Sequence, residues 1–371
     1  MSRYYYVTEN EYRIFGESVF TAMGFSAKDS SIITAVLQDA DLFGIESHGI
    51  SRISKYYNLV KKNIVSPDAV PEITFETPLT AVYNAHSAMG QLAGSLAMQK
   101  AVERAKVNGI GISVVRNSNH YGIAGYYALL AANQGLIGVS MTNTQAIMVP
   151  TFSRNALLGS NPIAFAFPVG LHGKYPYPFL FDAATTVITR GKIELYRKQG
   201  KKLKSQWVVD EKGQEAEDPE LILKNIQNKS GGGVLPLGGS GERNAGYKGY
   251  GFSMICEILT SVLAGGIPAP YKKDRGDTSH FFMAADPAAF GSRREISDRM
   301  QKLIDIIHSA APAEGYSHIY IAGEKEFIKR DQYRKKGIPL SEETVSELDI
   351  IADELGVERI CRNDQAHSGQ A

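Results

Sequence analysis

Near residue 78 the hydrophobic pattern of this 371-residue chain changes period, which limits the architectures open to it. Before that point, apolar residues recur at helical spacing. Thr8 with Glu11, and Ser26 with Asp29, stand at capping-box spacing before two such stretches, which predicts helices over 8–24 and 27–43, ended by Gly24 and Gly44. A third amphipathic segment starts near His48 and runs through Ile53, Tyr57 and Val60. Past residue 78, short apolar runs alternate with helical patterns: Leu79 to Tyr83, a helix from Gln91 to Asn108 stopped by Gly109, then Ile110 to Val115. Strand-like runs follow at Leu136 to Met141, Ile163 to Phe167 and Phe179 to Phe181, with helices over 122–134, 187–199 and 249–264. The expected fold is α/β, a mixed sheet covered by helices, with an all-helical N-terminal subdomain. That subdomain takes residues 1–75, joined by the C-terminal helices in 335–371, and the α/β part takes 76–334.

The polar stretch Lys201 to Ser230, with the glycine cluster Gly231 to Gly241 behind it, reads as an extended loop. Phe281 to Ala284 and His318 to Ala322 are short strand candidates. Pro339 and Ser341 open a last helix that Gly356 closes, and the tail after Cys361 is polar and frayed. With 40 Lys and Arg against 39 Asp and Glu, no overall field exists to hold a polyanion or an anionic membrane, so nucleic acid is excluded as a partner. Cys256 and Cys361 offer neither a disulfide framework nor a thiolate metal site. The start MSRYYYVTENEY has no secretory or transit character, and no run reaches the roughly 20 apolar residues of a membrane helix, so a cytoplasmic protein is expected.

Chemistry-bearing residues gather in a few places. His48 and Arg52 lie four apart, which on a helix puts both on one face. A guanidinium there can clamp a carboxylate while the imidazole protonates the adjacent carbonyl oxygen; the alternative is a pair packed on a surface helix. Asn117-Ser118-Asn119-His120-Tyr121-Gly122 follows a strand directly, where open α/β sheets bind ligands, although an Asn-rich turn would read the same way. Asp182 ends the strand FLFD and can cap the next helix, orient an imidazole and favour its cation, or do both. Gly246-Tyr247-Lys248-Gly249 suits close backbone approach, with Lys248 available for a phosphate, or a plain flexible loop. No GxGxxG or P-loop pattern is present: Gly109 and Gly111 begin the first, but Val114 takes its third glycine position. The eight histidines are dispersed with no compact His and carboxylate set, so no metal is expected, and no GxSxG marks a serine hydrolase.

In order along the chain, DLFGIESHGISR (41–52), RNSNHYGIAGYY (116–127), MTNT (141–144), LGSNPIAFAFP (158–168), FDAATTVITRGKIE (181–194) and LPLGGSGERNAGYKGYG (235–251) resemble the type-2 malate and L-lactate dehydrogenases. That family also holds ureidoglycolate, sulfolactate and diketogulonate oxidoreductases. The resemblance implies a homodimeric NAD or NADP oxidoreductase on a non-Rossmann nicotinamide-binding fold, with NAD the first expectation. It implies His48 as proton donor, flanked by Ser47, with Asp182 orienting it. It further implies substrate contacts at Arg52, Tyr56 and His120, and cofactor contacts at His120, Ser160, Asn161, Asp182, Ala183, Ala184, Thr185, Tyr247, Lys248, Gly323, Glu324 and Lys325. The helical layer of one protomer is expected to help close its partner's active site. Two positions depart from the family: Thr151-Phe152-Ser153-Arg154 replaces a glycine-containing turn, and Ser160 replaces the usual Thr. Malate and oxaloacetate are the expected pair, with lactate, ureidoglycolate or another 2-hydroxy acid as alternatives, and a catalytically silent small-molecule binder as the other class. Arg52 accounts for one carboxylate, and no residue is identified for a second. Arg190, Lys192, Arg197 and Lys198 are the cations open to a 2′-phosphate.

Overall fold

The computed structural model describes residues 3–169, 175–272 and 276–361. Strand β1 (Tyr4–Val7) leads into α1 (Glu9–Ala22), whose cap is the one its sequence predicts: the Glu11 N–H donates to the Thr8 hydroxyl, and the Thr8 N–H donates back to the Glu11 carboxylate. Ser26 caps α2 (Ala27–Leu42) through the Asp29 N–H, and α3 is Ile53–Lys61. These helices bury Tyr12, Phe20, Ile33 and Leu37 in one apolar cluster together with Ile338, Leu340 and Leu348 from the far end of the chain.

Residues 72–361 supply β2 (Glu72–Glu76), β3 (Thr80–Asn84), α4 (Gly90–Asn108), β4 (Ile110–Ser118), α5 (Ala124–Ala132), β5 (Ile137–Thr142), β6 (Ile163–Phe167), β7 (Phe179–Ala183), α6 (Arg190–Lys198), β8 (Val208–Val209), α7 (Pro219–Asn228), β9 (Gly233–Val234), α8 (Gly246–Glu257), β10 (Thr278–Ala285), α9 (Arg293–Ser309), α10 (Glu324–Lys336), β11 (Ile338–Ser341) and α11 (Glu342–Leu355). Seven strands make the central sheet in the order β2-β3-β4-β10-β5-β6-β7. Only β3 and β4 run parallel, joined through α4; every other neighbour is antiparallel, so the sheet is mixed as expected and is not a doubly wound parallel one. Helices α4 and α5 lie directly on one face. A Cβ at Gly111 would stand 2.1 Å from the Ala101 carbonyl oxygen, and one at Gly138 would stand 2.2 Å from that of Ala128, so both strand glycines permit the close approach of helix backbone. On the other face Cys256 of α8 packs with Val114, Val139 and Phe281. Among the described residues no helix is long and apolar enough to cross a membrane.

Four expectations need correction. The stretch Lys201 to Ser230 contains α7: Asp218 caps it, Pro219 takes its first position, and Ile222 and Ile226 pack with Ile193 and Val208. His318 to Ala322 forms no strand, although the Ala322 carbonyl accepts the Leu180 N–H beside β7. Pro339 and Ser341 lie in β11, which pairs antiparallel with β1, and Ser341 then caps α11, which Gly356 ends at φ 67°. Helices α9 and α10 were not foreseen, although Ser292 and Glu295 carry the same capping spacing as the first two helices. The tail beyond Cys361 lies outside the described residues.

Candidate active site

His48 and Arg52 do not share an α-helical face. Asp41, buried in α2, accepts the Tyr12 hydroxyl at 2.6 Å and the Ile50 N–H at 2.7 Å, and a Cβ at Gly49 would stand 1.9 Å from its Oδ1. Glycine is therefore required between the two residues, and the backbone there breaks into short 3-10 turns, Glu46–His48 and Ile50–Arg52, before α3 begins. Both side chains nevertheless line one cavity of about 490 Å³, with Lys55, Asn119, His120 and Ser160.

The side chains of this cavity orient one another. Ser47 Oγ and His48 Nδ1 are hydrogen-bonded at 2.9 Å, and Arg52 Nε donates to the Ser47 carbonyl, which leaves the Arg52 terminal nitrogens and His48 Nε2 for a ligand. The His48 ring stacks on His120, with centroids 5.5 Å apart. The Gly122 N–H donates to His120 Nδ1 at 3.3 Å, which makes Nδ1 the acceptor and puts the proton of the neutral ring on Nε2. The Tyr56 hydroxyl meets the same Nδ1 at 2.8 Å and accepts from Gln91 at 3.0 Å. Tyr56 is thus buried behind His120 as a brace and is not among the residues that line the cavity. Recession in the cavity, followed by the charges of Arg52 and Lys55, pushes the His48 pKa down to about 3. Lys55 stands at the accessible mouth; desolvation and the Arg52 and Arg190 cations push it down to about 8.

Across the cavity, a buried carboxylate fixes the wall. Glu257 accepts from Asn143, Ser261, the Ala269 N–H and Asn161 at 2.8–3.0 Å. Asn161 also accepts the Thr144 N–H, and Thr185 donates twice to the Ser160 carbonyl. The side chains of Asn161 and Thr185 therefore hold the Ser160 segment in place. Lys272, which also lines the cavity, donates to Asn143.

Asp182 lies elsewhere, in a neighbouring cavity of about 290 Å³ with Gly323 and Lys325. Its Oδ2 accepts the Gly125 N–H at 2.6 Å. Neither His48 nor His120 bonds to it, so within one chain the expected aspartate–imidazole pair is not formed and Ser47 takes the orienting place. The two cavities are lined from neighbouring stretches of chain, Phe43, Ile45, Ile123 and Gly125 for the smaller one and residues 47–48 and 119–122 for the larger. Ala183 and Ala184 line neither, nor does the turn 151–154, where Phe152 points to solvent at φ 69°. Tyr247 and Lys248 are exposed in the first turn of α8, outside both cavities. Glu324 faces away, toward His308 and His318 at 3.0 Å each, so a compact His and carboxylate set does exist where none was expected. Lys55 and Lys272 escaped the sequence reading. Lys55 is three residues past Arg52 and was open to detection by spacing, whereas nothing local marks Lys272.

The chain matches the family described as Malate/L-lactate dehydrogenase over residues 7–349. It is similar to the malate dehydrogenase of Pyrococcus abyssi, with 39% identity covering 95% of this chain and 97% of that one. To the L-sulfolactate dehydrogenase of Methanocaldococcus jannaschii it is 34% identical, covering 94% and 96%. The crystal structure of malate dehydrogenase from Entamoeba histolytica superimposes with a TM-score of 0.91 at 32% identity, covering 96% of this chain and 99% of that one.

Proposed function

The chain belongs to the malate/L-lactate dehydrogenase family and is an NAD(P)-dependent dehydrogenase acting on 2-hydroxy acids, and we propose that it interconverts malate and oxaloacetate with NAD. The observation that carries this reading is the convergence of Arg52 and Lys55 beside His48 in one cavity. Arg52, with Nε committed to Ser47, offers its terminal nitrogens to the carboxylate next to the reacting carbon, and Lys55 supplies a second cation. Among the described residues lining that cavity the carboxylate is Glu194, which is paired with Arg190. A dicarboxylate engages both free cations, whereas lactate leaves Lys55 without an anion.

The two adjoining cavities suit an extended cofactor. Lys325 and Gly323, the N-cap of α10, line the smaller one; a Cβ on Gly323 would stand 2.7 Å from Leu180, so the glycine lets the start of α10 pack against β7 at that wall. When bound, the nicotinamide supplies or accepts the hydride at substrate C2. His48, held at Nδ1 by Ser47, gives a proton to the C2 oxygen in reduction and takes it back in oxidation. Tyr56 fixes His120 against that ring. NAD is favoured over NADP because Arg197 and Lys198 turn to Glu220 and Glu343 and Arg190 turns to Glu194, which leaves Lys192 on Tyr196 as the remaining candidate for a 2′-phosphate. The exposed apolar stripe of Phe252, Ile255, Ile258 and Val262 on α8 and the turn after it supports a homodimer.

The test is a panel of oxaloacetate and pyruvate with NADH and NADPH, repeated on Lys55→Met. Oxaloacetate with NADH should give the highest kcat/KM, and Lys55→Met should raise KM for oxaloacetate by roughly 10-fold or more, the worth of about 1.4 kcal/mol of a charge-assisted contact, with little change for pyruvate. Equal losses for both substrates would remove Lys55 from the site.

A further inference from the structure

Outside both cavities, the segment from α9 to α10 brings together three side chains that the hydride-transfer site does not use. His308 is in the last turn of α9, His318 is in the connecting loop, and Glu324 is the first residue of α10. His308 Nε2 lies 3.0 Å from Glu324 Oε2 and His318 Nε2 lies 3.0 Å from Oε1, with the ligand-bearing atoms all within 4.8 Å of one another. In a tetrahedral zinc site, bonds of about 2.0–2.2 Å put ligand atoms about 3.3 Å apart, so a spread within 4.8 Å closes on such a site with small side-chain rotations.

The surroundings hold the ligands as a metal site requires. Glu324 is fixed by the Ile321 N–H, which donates to Oε2 at 3.0 Å, and its side chain is only 10% exposed. Tyr320 packs edge-on to the His318 ring at 4.6 Å, and Tyr175 lies 5.9 Å from that of His308. The imidazoles remain partly open to solvent, leaving room for water as a fourth ligand. We propose that His308, His318 and Glu324 form a structural site for a divalent transition metal, zinc being the ion that two imidazoles and a carboxylate favour. The bound ion clips α9, the loop and α10 together. Because Tyr320, Ile321 and Gly323 also line the smaller cavity, the ion fixes that wall, and hydride transfer takes no step through it.

The experiment uses chelator-stripped full-length protein titrated with Zn²⁺ alone by calorimetry, with Co²⁺ as a second probe whose visible absorption reports tetrahedral geometry. One equivalent should bind per chain and raise the thermal unfolding midpoint by mass action. His308→Ala and His318→Ala should each weaken binding by more than the roughly 10- to 100-fold that loss of a mere supporting residue costs. Should His308→Ala not fold, His318→Ala, which sits in an accessible loop, decides. His86→Ala, which removes a surface His–Glu pair, should leave binding unchanged. Absence of saturable Zn²⁺ binding by the parent protein, or equal binding after His318→Ala, overturns the proposal.

Discussion

The imidazole of His48 sits between two cations with no carboxylate bonded to it, and that placement sets an expected pH dependence. Recession in the cavity and the charges of Arg52 and Lys55 lower its pKa, so the ring of the free enzyme is neutral near neutral pH. Oxidation needs that neutral base, so its kcat/KM should stay level from about pH 6 until Lys55 loses its charge near pH 8. Reduction needs the proton, so its kcat/KM should fall about tenfold per pH unit over the same interval. A plateau for reduction at neutral pH would show an imidazolium that the cavity does not favour. His48→Ala should lower turnover by roughly 10² to 10⁴ while cofactor affinity is kept, and the pH slope of reduction should vanish with it. His48 and Arg52 were legible in the sequence because residue type and spacing suffice to suggest a carboxylate clamp. The neutral state of His48 was not legible, because it depends first on burial in the cavity and on the separation from Asp182, both set by tertiary packing.

At the scale of the element, the turn that carries His48 depends on a contact with α2. The Asp41 carboxylate occupies the space beside Gly49 and grips the Ile50 N–H, so the turn is positioned from outside itself. Gly49→Ala should therefore displace either Asp41 or His48. Overpacking of this kind costs about 1–3 kcal/mol in stability, and a displacement near 1 Å at the catalytic group costs on the order of 10²-fold in turnover. Parallel measurement of kcat and the unfolding midpoint checks it; unaltered turnover would mean that the turn does not set the position of His48. Helices with capping residues and clean periodicity were readable, as α1, α2 and α4 show. The helix expected through His48 failed because Asp41, held by Tyr12 twenty-nine residues before it, fills the space beside Gly49 and takes the Ile50 N–H, a contact that periodicity does not register. By contrast α7 and α9 carried legible caps, at Asp218 and Ser292, inside segments whose polarity masked them.

Across the whole molecule, Phe252, Ile255, Ile258 and Val262 form an exposed apolar stripe at helical spacing along α8 and the π-helical turn Ile258–Val262 that continues it. A second copy of the chain is the partner that the family resemblance implies, and a two-fold axis would bury the stripe against itself. Ile258→Glu should shift the protein from dimer to monomer in equilibrium sedimentation and lower activity with it; a fully active monomer would rule the dimer out as the functional unit. The change of hydrophobic period near residue 78, the caps and the alternating apolar runs determined that a mainly helical layer precedes a helix-covered mixed sheet, because these signals are local and act within a few residues; β1 at the very start was not among them. Only the tertiary structure decided that β10 enters between β4 and β5, that β11 pairs with β1, and that Lys272 shares a cavity with His48 while Asp182 does not. Those outcomes join residues hundreds of positions apart, and their free energy comes from burial and hydrogen bonding that exist only once the chain has closed on itself.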